Sequence, residues 1–211
     1  MSYHANIMKK RSYIPGLLLA ALLACGSVPQ EKLRDADIIF QTSRSSQSLA
    51  IQKATRSPYS HMGILFIRSG KPYVFEAIAT VQYTPLKKWI KRGAGGRYVV
   101  KRLRDADKIL TPDALARLRA AAARFEAKPY DAAFEWTNSR IYCSELVWKI
   151  YDQALGLHIG ALQKLRDFDL TGPVVQAKLK ERYGKNIPWK EPVISPGAMF
   201  SCDRLVRVAG N

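Results

Sequence analysis

Three residues of this chain have the types and setting for covalent chemistry: Cys143, His61 and Glu76. Cys143 opens the stretch Ile141-Tyr142-Cys143-Ser144-Glu145-Leu146-Val147-Trp148. Leu146, Val147, Ile150, Ala154 and Leu155 recur at a helical period and Gly156 supplies a stop, so the spacing predicts a buried helix with Cys143 in its first turn. A thiol there feels the positive end of the helix dipole and free backbone N–H groups, which favour the thiolate, the form that attacks a carbonyl carbon. A lone cysteine flanked by aromatics is most often a small core residue, and the helix alone does not overturn that reading.

The other two residues lie on a predicted hairpin. Tyr59 to Ile67 and Tyr73 to Ala79 read as strands, with Ser69-Gly70 as the turn between them. If the loop has two residues, His61 faces Ile78 and shares a face with Glu76 one diagonal step away, a separation of about 7–8 Å at Cα and less at the side-chain tips. Each residue also has an ordinary reading. A histidine at a strand start is commonly a solvated group, and a glutamate in such a strand is commonly the polar position of a half-exposed face. Yet a carboxylate buried inside Val74-Phe75-Glu76-Ala77-Ile78 without a partner costs several kcal/mol, and His61 is the partner within reach. A thiolate, an imidazole and a group that orients the imidazole are the parts of a cysteine hydrolase site.

The elements that must position these groups follow from the same patterns. Asp37-Ile38-Ile39-Phe40 reads as a short buried strand, and Gln41 to Gln47 as a polar run into a helix that continues through Ala54 and closes at Ser57-Pro58. Leu86 to Arg92 is a predicted short helix, Gly93 to Gly96 a flexible loop, and Arg97 to Leu103 a further strand. Thr111-Pro112 starts an amphipathic helix expected to reach Ala127, with Leu115, Leu118, Ala122 and Phe125 on one side. Tyr130 to Arg140 connects it to the Cys143 helix and could wall a cleft. A loop with His158 and Asp167-Phe168-Asp169 follows, then a basic helix from Pro173 to Tyr183 and a Pro/Gly-punctuated segment from Ile187 to Ala198. Met199 to Val206 reads as a final strand or a packing segment. With 211 residues, these elements make one domain, 33–211, with a core large enough to need neither disulfide nor metal.

The first 25 residues read as an export signal: Lys9, Lys10 and Arg11, then Leu17 to Ala24, an apolar run too short to span a bilayer. Leu22-Leu23-Ala24-Cys25-Gly26 resembles the lipobox of bacterial lipoproteins, in which the cysteine is acylated and becomes the new N-terminus. Cleavage without acylation is the alternative. Residues 26–32 then form a tether, and the expected location is the periplasmic side of a bacterial envelope, anchored through Cys25. Gly26 in place of an aspartate favours the outer over the inner membrane. Cys143 and Cys202 remain in a compartment that permits disulfides, and spacing does not say whether they pair.

The formal charge of +17, from 34 bases and 17 acids, is spread along the chain and fits attraction to an anionic surface such as acidic lipid or cell-wall polymer. Zinc-finger spacing, an RNA-binding aromatic signature and a basic-plus-heptad helix are all absent from the sequence, so no nucleic-acid partner is expected. No Cys-x-x-Cys occurs, histidine occurs only at 4, 61 and 158, and Gly93 to Gly96 lacks the Gly-Lys-Ser/Thr ending of a phosphate loop. No metal and no cofactor are expected.

Asp37-Ile38-Ile39-Phe40-Gln41-Thr42-Ser43, Tyr59-Ser60-His61-Met62-Gly63, Val74-Phe75-Glu76-Ala77, Tyr142-Cys143-Ser144-Glu145-Leu146-Val147-Trp148 and Tyr183-Gly184-Lys185-Asn186-Ile187-Pro188 together resemble the permuted papain-like cysteine hydrolases of the YiiX type, a circularly permuted branch of the NlpC-type superfamily. The resemblance runs from about Leu33 to Leu205. It implies an α+β, circularly permuted papain-like fold, an antiparallel sheet packed against helices that include the nucleophile helix. It further implies Cys143 as nucleophile, His61 as base and then acid, and Glu76 as the group that holds the imidazole tautomer. The substrate would be an amide or ester, with cell-wall peptides first and acyl lipids, by hydrolysis or acyl transfer, as the alternative. An envelope lipoprotein that binds a ligand without turning it over is the competing class.

Overall fold

The computed structural model describes Met1 and residues 33–211; the signal-like segment, the tether and Cys25 lie outside the described residues. The elements run β1 (Ile38–Gln41), α1 (Ser48–Thr55), β2 (His61–Arg68), β3 (Lys71–Ala77), β4 (Val81–Pro85), α2 (Leu86–Arg92), β5 (Val99–Leu103), α3 (Ala106–Ile109) and α4 (Pro112–Ala123). They continue as α5 (Cys143–Leu155), β6 (Gln163–Lys164), α6 (Pro173–Tyr183), β7 (Pro192–Val193), α7 (Pro196–Phe200) and β8 (Leu205–Gly210). Six strands form one antiparallel sheet in the order β4-β3-β2-β1-β5-β8, and β6 pairs with β7 beside it.

The hairpin has the expected register, with Ile64 opposite Phe75 and Arg68 opposite Lys71. Its two loop residues, Ser69 (φ 47°) and Gly70 (φ 72°), both sit in the left-handed region that a type I′ turn requires and that matches the strand twist. On one face of the sheet Phe40, Met62, Ile64 and Phe75 pack into the core that holds Leu146, Val147 and Ile150 of α5, with Leu118 and Ala122 of α4 behind. On the other face Ile39, Leu65, Val74 and Val100 pack against Trp89 of α2 and Tyr98. The inner strands are thus covered on both sides, so all four residues of β1 are buried.

Asp37, the residue before β1, is scaffold. Its buried carboxylate accepts from Arg102 Nε at 2.6 Å and from the backbone N–H of Arg34 at 2.9 Å, which ties β5 and the segment ahead of β1 to β1.

Gly63 allows β2 and β3 to close near the site. A Cβ built there would lie 2.5 Å from Val74 Cγ1 and 2.6 Å from the Phe75 carbonyl oxygen, and backbone cannot yield cheaply. We expect Gly63→Ala to destabilise the fold by about 1–3 kcal/mol, read as a lower urea midpoint at unchanged slope. It should also displace the strand that carries Glu76.

Three elements differ from the sequence reading. Val81 to Pro85, unassigned in the sequence, forms the edge strand β4; Pro85, at the strand end, faces Tyr73. The helix expected to reach Ala127 stops at Ala123, where the chain unwinds through turns to Ala127 at φ 64° and then pairs with β4 through Ala127 N–H to Val81 O. Met199 to Val206 holds the end of α7, a turn and the start of β8. Among the described residues no helix is long and apolar enough to cross a membrane.

Candidate active site

The start of α5 is pinned from both sides. Glu145 Oε2 accepts from the backbone N–H of Tyr142 at 3.3 Å, and Glu145 Oε1 lies 2.7 Å from Lys149 Nζ, one helical turn on. Burial pushes the Glu145 carboxyl up to about 7, against the opposing pull of Lys149. Lys149 in turn donates to the carbonyl of Thr137 (2.6 Å) and to Asn138 Oδ1 (2.9 Å), which anchors the 130–140 connector to the helix. On the opposite side Ser144 Oγ donates to the Ile194 carbonyl at 2.8 Å, and the Ile194 N–H donates to the Tyr142 hydroxyl at 3.1 Å. Cys143 therefore sits at the first helical position in a fixed frame, with a backbone N–H that has no carbonyl partner in the helix ladder.

β2 and β3 bring the other two side chains to the same place. His61 Nε2 and Glu76 Oε2 are 2.6 Å apart and both residues are buried, Glu76 completely. Cys143 also acts on the His61 ring, whose Nε2 is taken by Glu76. Trp89 stacks on the imidazole with ring centroids 5.9 Å apart and so limits its rotation. Burial disfavours protonation of His61, but the hydrogen bonds and negative charge of Cys143 and Glu76 outweigh it and raise the imidazole to about 9. Burial likewise works against ionising Glu76, yet His61 and Arg92 hold its carboxyl down at about 2.

Arg92, at the end of α2, is the site residue that sequence reasoning missed. One of its guanidinium nitrogens lies 2.6 Å from Glu76 Oε1 and 2.5 Å from Oε2. The carboxylate therefore has a permanent cation on one side and the imidazole on the other. The only sequence signal was a basic residue in the last turn of a short helix, which is unremarkable by itself. Trp89 was missed as well, since an aromatic in a short helix reads as ordinary core.

Cys143 is only 4 % exposed but lines a pocket. Ile51, Phe134, Phe168, Leu170 and Val193 give that pocket a mainly apolar wall, with Tyr130 and Ser60 among its polar members. The connector thus does wall a cleft, held in shape by Asp131, whose buried carboxylate accepts the N–H groups of Ala133 (2.8 Å) and Glu135 (2.6 Å). Cys143 and Cys202 are both free thiols, so the disulfide left open by the sequence does not form. His158 lies away from this centre, 2.9 Å from Asp152 and stacked on Trp148.

Residues 32–209 match the family described as permuted papain-like amidase enzymes, YaeF/YiiX. The chain belongs to that family. Among the permuted papain-like amidases it is 52% identical to the uncharacterised protein YiiX of Escherichia coli over 193 residues, 92% of this chain and 94% of the relative. A crystal structure described as that of the metalloprotein YiiX from an Escherichia coli strain is 54% identical, with a TM-score of 0.82, over 85% of this chain and 98% of that one. The α+β, permuted papain-like fold expected from the resemblance is the fold found, and membership of the family makes the chain a cysteine hydrolase of the amidase type. Among the described residues no group of three or more His, Cys, Asp or Glu side chains is arranged to hold a metal ion, and Glu76 is already held by His61 and Arg92. These donors do not fit a resident metal.

Proposed function

We propose that Cys143 is the nucleophile of this amidase, with His61 as general acid and base and Glu76 as the group that orients it. One observation carries the reading: His61 is bonded to Glu76 at 2.6 Å, Cys143 and Glu76 together raise its imidazole to about 9, and Cys143 lines a pocket. At neutral pH the imidazole is protonated. The thiolate adds to the carbonyl carbon, and the imidazolium proton passes to the leaving nitrogen or oxygen as its bond to carbon breaks. The neutral imidazole then takes a proton from water, which attacks the thioester and frees the acid and the thiol. Glu76 stays ionised throughout and fixes the ring tautomer, while Arg92 keeps it ionised.

We place the enzyme in the bacterial envelope, tethered through an acylated Cys25, because the Leu22-Leu23-Ala24-Cys25-Gly26 segment has the lipobox form and the chain is strongly basic. Cell-wall peptide amides are the first substrate class. The apolar wall of the pocket beside Cys143 favours a second, acyl-lipid esters or amides. Trapping the acyl-enzyme from envelope extract and weighing the adduct separates them: a muropeptide mass excludes the lipid reading, a fatty acyl mass the peptide one.

The catalytic assignment is tested without a known substrate. At pH 6 iodoacetamide should alkylate Cys143 in preference to Cys202, and His61→Ala should slow that reaction by about tenfold or more, because an isolated thiol is almost wholly protonated there. Equal labelling of the two cysteines, or no effect of His61→Ala, would sink the assignment.

A further inference from the structure

The basic charge of this chain has a local excess on one face. Between Glu76 and Asp105 the sequence holds eight basic residues and no acid. Three of them, Lys87, Lys88 and Lys91, fall at helical spacing on one side of α2 and are exposed, while Leu86 and Trp89 of the same helix are buried against the sheet. The ion pairs among the described residues leave all three lysines without a carboxylate partner. The other lysine-rich helix differs. On α6 Lys178 is already paired with Glu181 at 2.6 Å, and Glu191 follows soon after.

We infer that the outer face of α2 is the surface on which the protein seats against an anionic lipid bilayer, with Lys87, Lys88 and Lys91 contacting headgroup phosphates. The inference rests on the reading that Cys25 is the acylated anchor, because the anchor decides which face can reach the lipid. Leu33, the first residue after the tether, is buried in the same apolar layer as Leu86 and Trp89, so the chain enters the domain on the α2 side of the sheet. Residues 26–32 span at most about 25 Å when fully extended. A domain of this size has a radius of gyration of about 16 Å and is about 40 Å across. The tether therefore cannot bring the opposite side, where α4 and α5 pack, round to the bilayer.

The face held nearest the lipid is thus one whose charge complements it. Each basic side chain close to an anionic leaflet strengthens binding by about fivefold, and a basic patch is a recognised second hold beside an acyl chain. The inner side of the same helix serves the site: Trp89 stacks on His61 and Arg92 binds Glu76. Seating the outer side on lipid holds the imidazole about one helix diameter, roughly 10 Å, from the headgroups.

The test uses the chain from residue 26, which contains the whole described domain and no acyl group, sedimented with vesicles of phosphatidylcholine with or without phosphatidylglycerol. Binding should need the phosphatidylglycerol and fall as salt rises. The triple variant Lys87→Ala, Lys88→Ala, Lys91→Ala should bind about 10²-fold more weakly. Lys180→Ala, Lys185→Ala, Lys190→Ala, which removes as many charges from exposed positions on and after α6, should cost about threefold at most. In both variants iodoacetamide should alkylate Cys143 at the wild-type rate, which shows the domain intact. Equal losses in the two variants would mean that net charge alone attracts the protein, and an undiminished first variant would mean that α2 does not touch lipid; either overturns the inference. The mass of the mature N-terminus tests the anchor separately: a Cys25 free of acyl chains would overturn the anchor reading, whatever the vesicles show.

Discussion

Cys143→Ala is expected to abolish turnover, by about 10⁶-fold, the scale on which loss of the nucleophile in a catalytic triad is felt. The fold should survive, since the change removes one sulfur from the pocket wall and leaves the Ser144, Glu145 and Tyr142 contacts that hold the helix start. The informative readout is the imidazole. His61 stands at about 9 because Cys143 and Glu76 together outweigh burial, so deleting the sulfur should bring its titration midpoint down, with Glu76 alone left to oppose burial. Following the imidazole resonances by NMR across pH 5–10 measures this. An unchanged midpoint would mean that thiol and ring do not communicate. The linkage sign follows. A folded-state value above the unfolded one of about 6.5 stabilises the protein fully below that pH, and the stabilisation fades as pH rises through about 9. In Cys143→Ala the loss should be smaller and complete at lower pH.

Glu76→Gln should lower kcat by about 10⁴-fold, the effect of replacing a triad carboxylate by its amide, because the amide no longer dictates which ring nitrogen is protonated. It also leaves the Arg92 guanidinium and the His61 imidazolium without their shared anion in a buried place. Removing one partner of a buried ion pair costs about 3–5 kcal/mol, and the half-exposed Arg92 places this case toward the lower end. Glu76 is held down at about 2, so its contribution is fully present above its unfolded value near 4.5 and disappears as pH falls through about 2. Urea unfolding of wild type and variant should therefore differ most near neutrality, with the gap closing between pH 4.5 and pH 2. A gap independent of pH would show that Glu76 acts through shape and not through charge.

Much of the site was legible because its parts are local. The hairpin register follows from two facts, a two-residue loop and a period of two, and these alone bring residue 61 to the diagonal of residue 76; the observed 2.6 Å contact needs nothing further. Likewise the apolar spacing after residue 143 and Gly156 bound a helix whose first residue is the cysteine. The edge strand Val81–Pro85 escaped notice because a five-residue run ending in proline has too few periods to stand out against a loop. The unwinding after Ala123 escaped because the next four residues keep the helical pattern while their backbone is drawn off to bond β4.

What the amino-acid sequence determined unaided was the family, from motifs spread along the chain, and the strand and helix periods and the diagonal pair on the hairpin, each written within a window of some twenty residues. What only the tertiary structure decided was the cation behind Glu76, the indole against His61, and the hydrogen bonds that link Arg182 through Gln47 to Tyr130, whose members lie up to 135 positions apart. Such contacts depend on how α1, α2, α6 and the connector pack around a sheet already formed. Side-chain directions at that distance are set by the filling of space, and no local pattern in the chain encodes them.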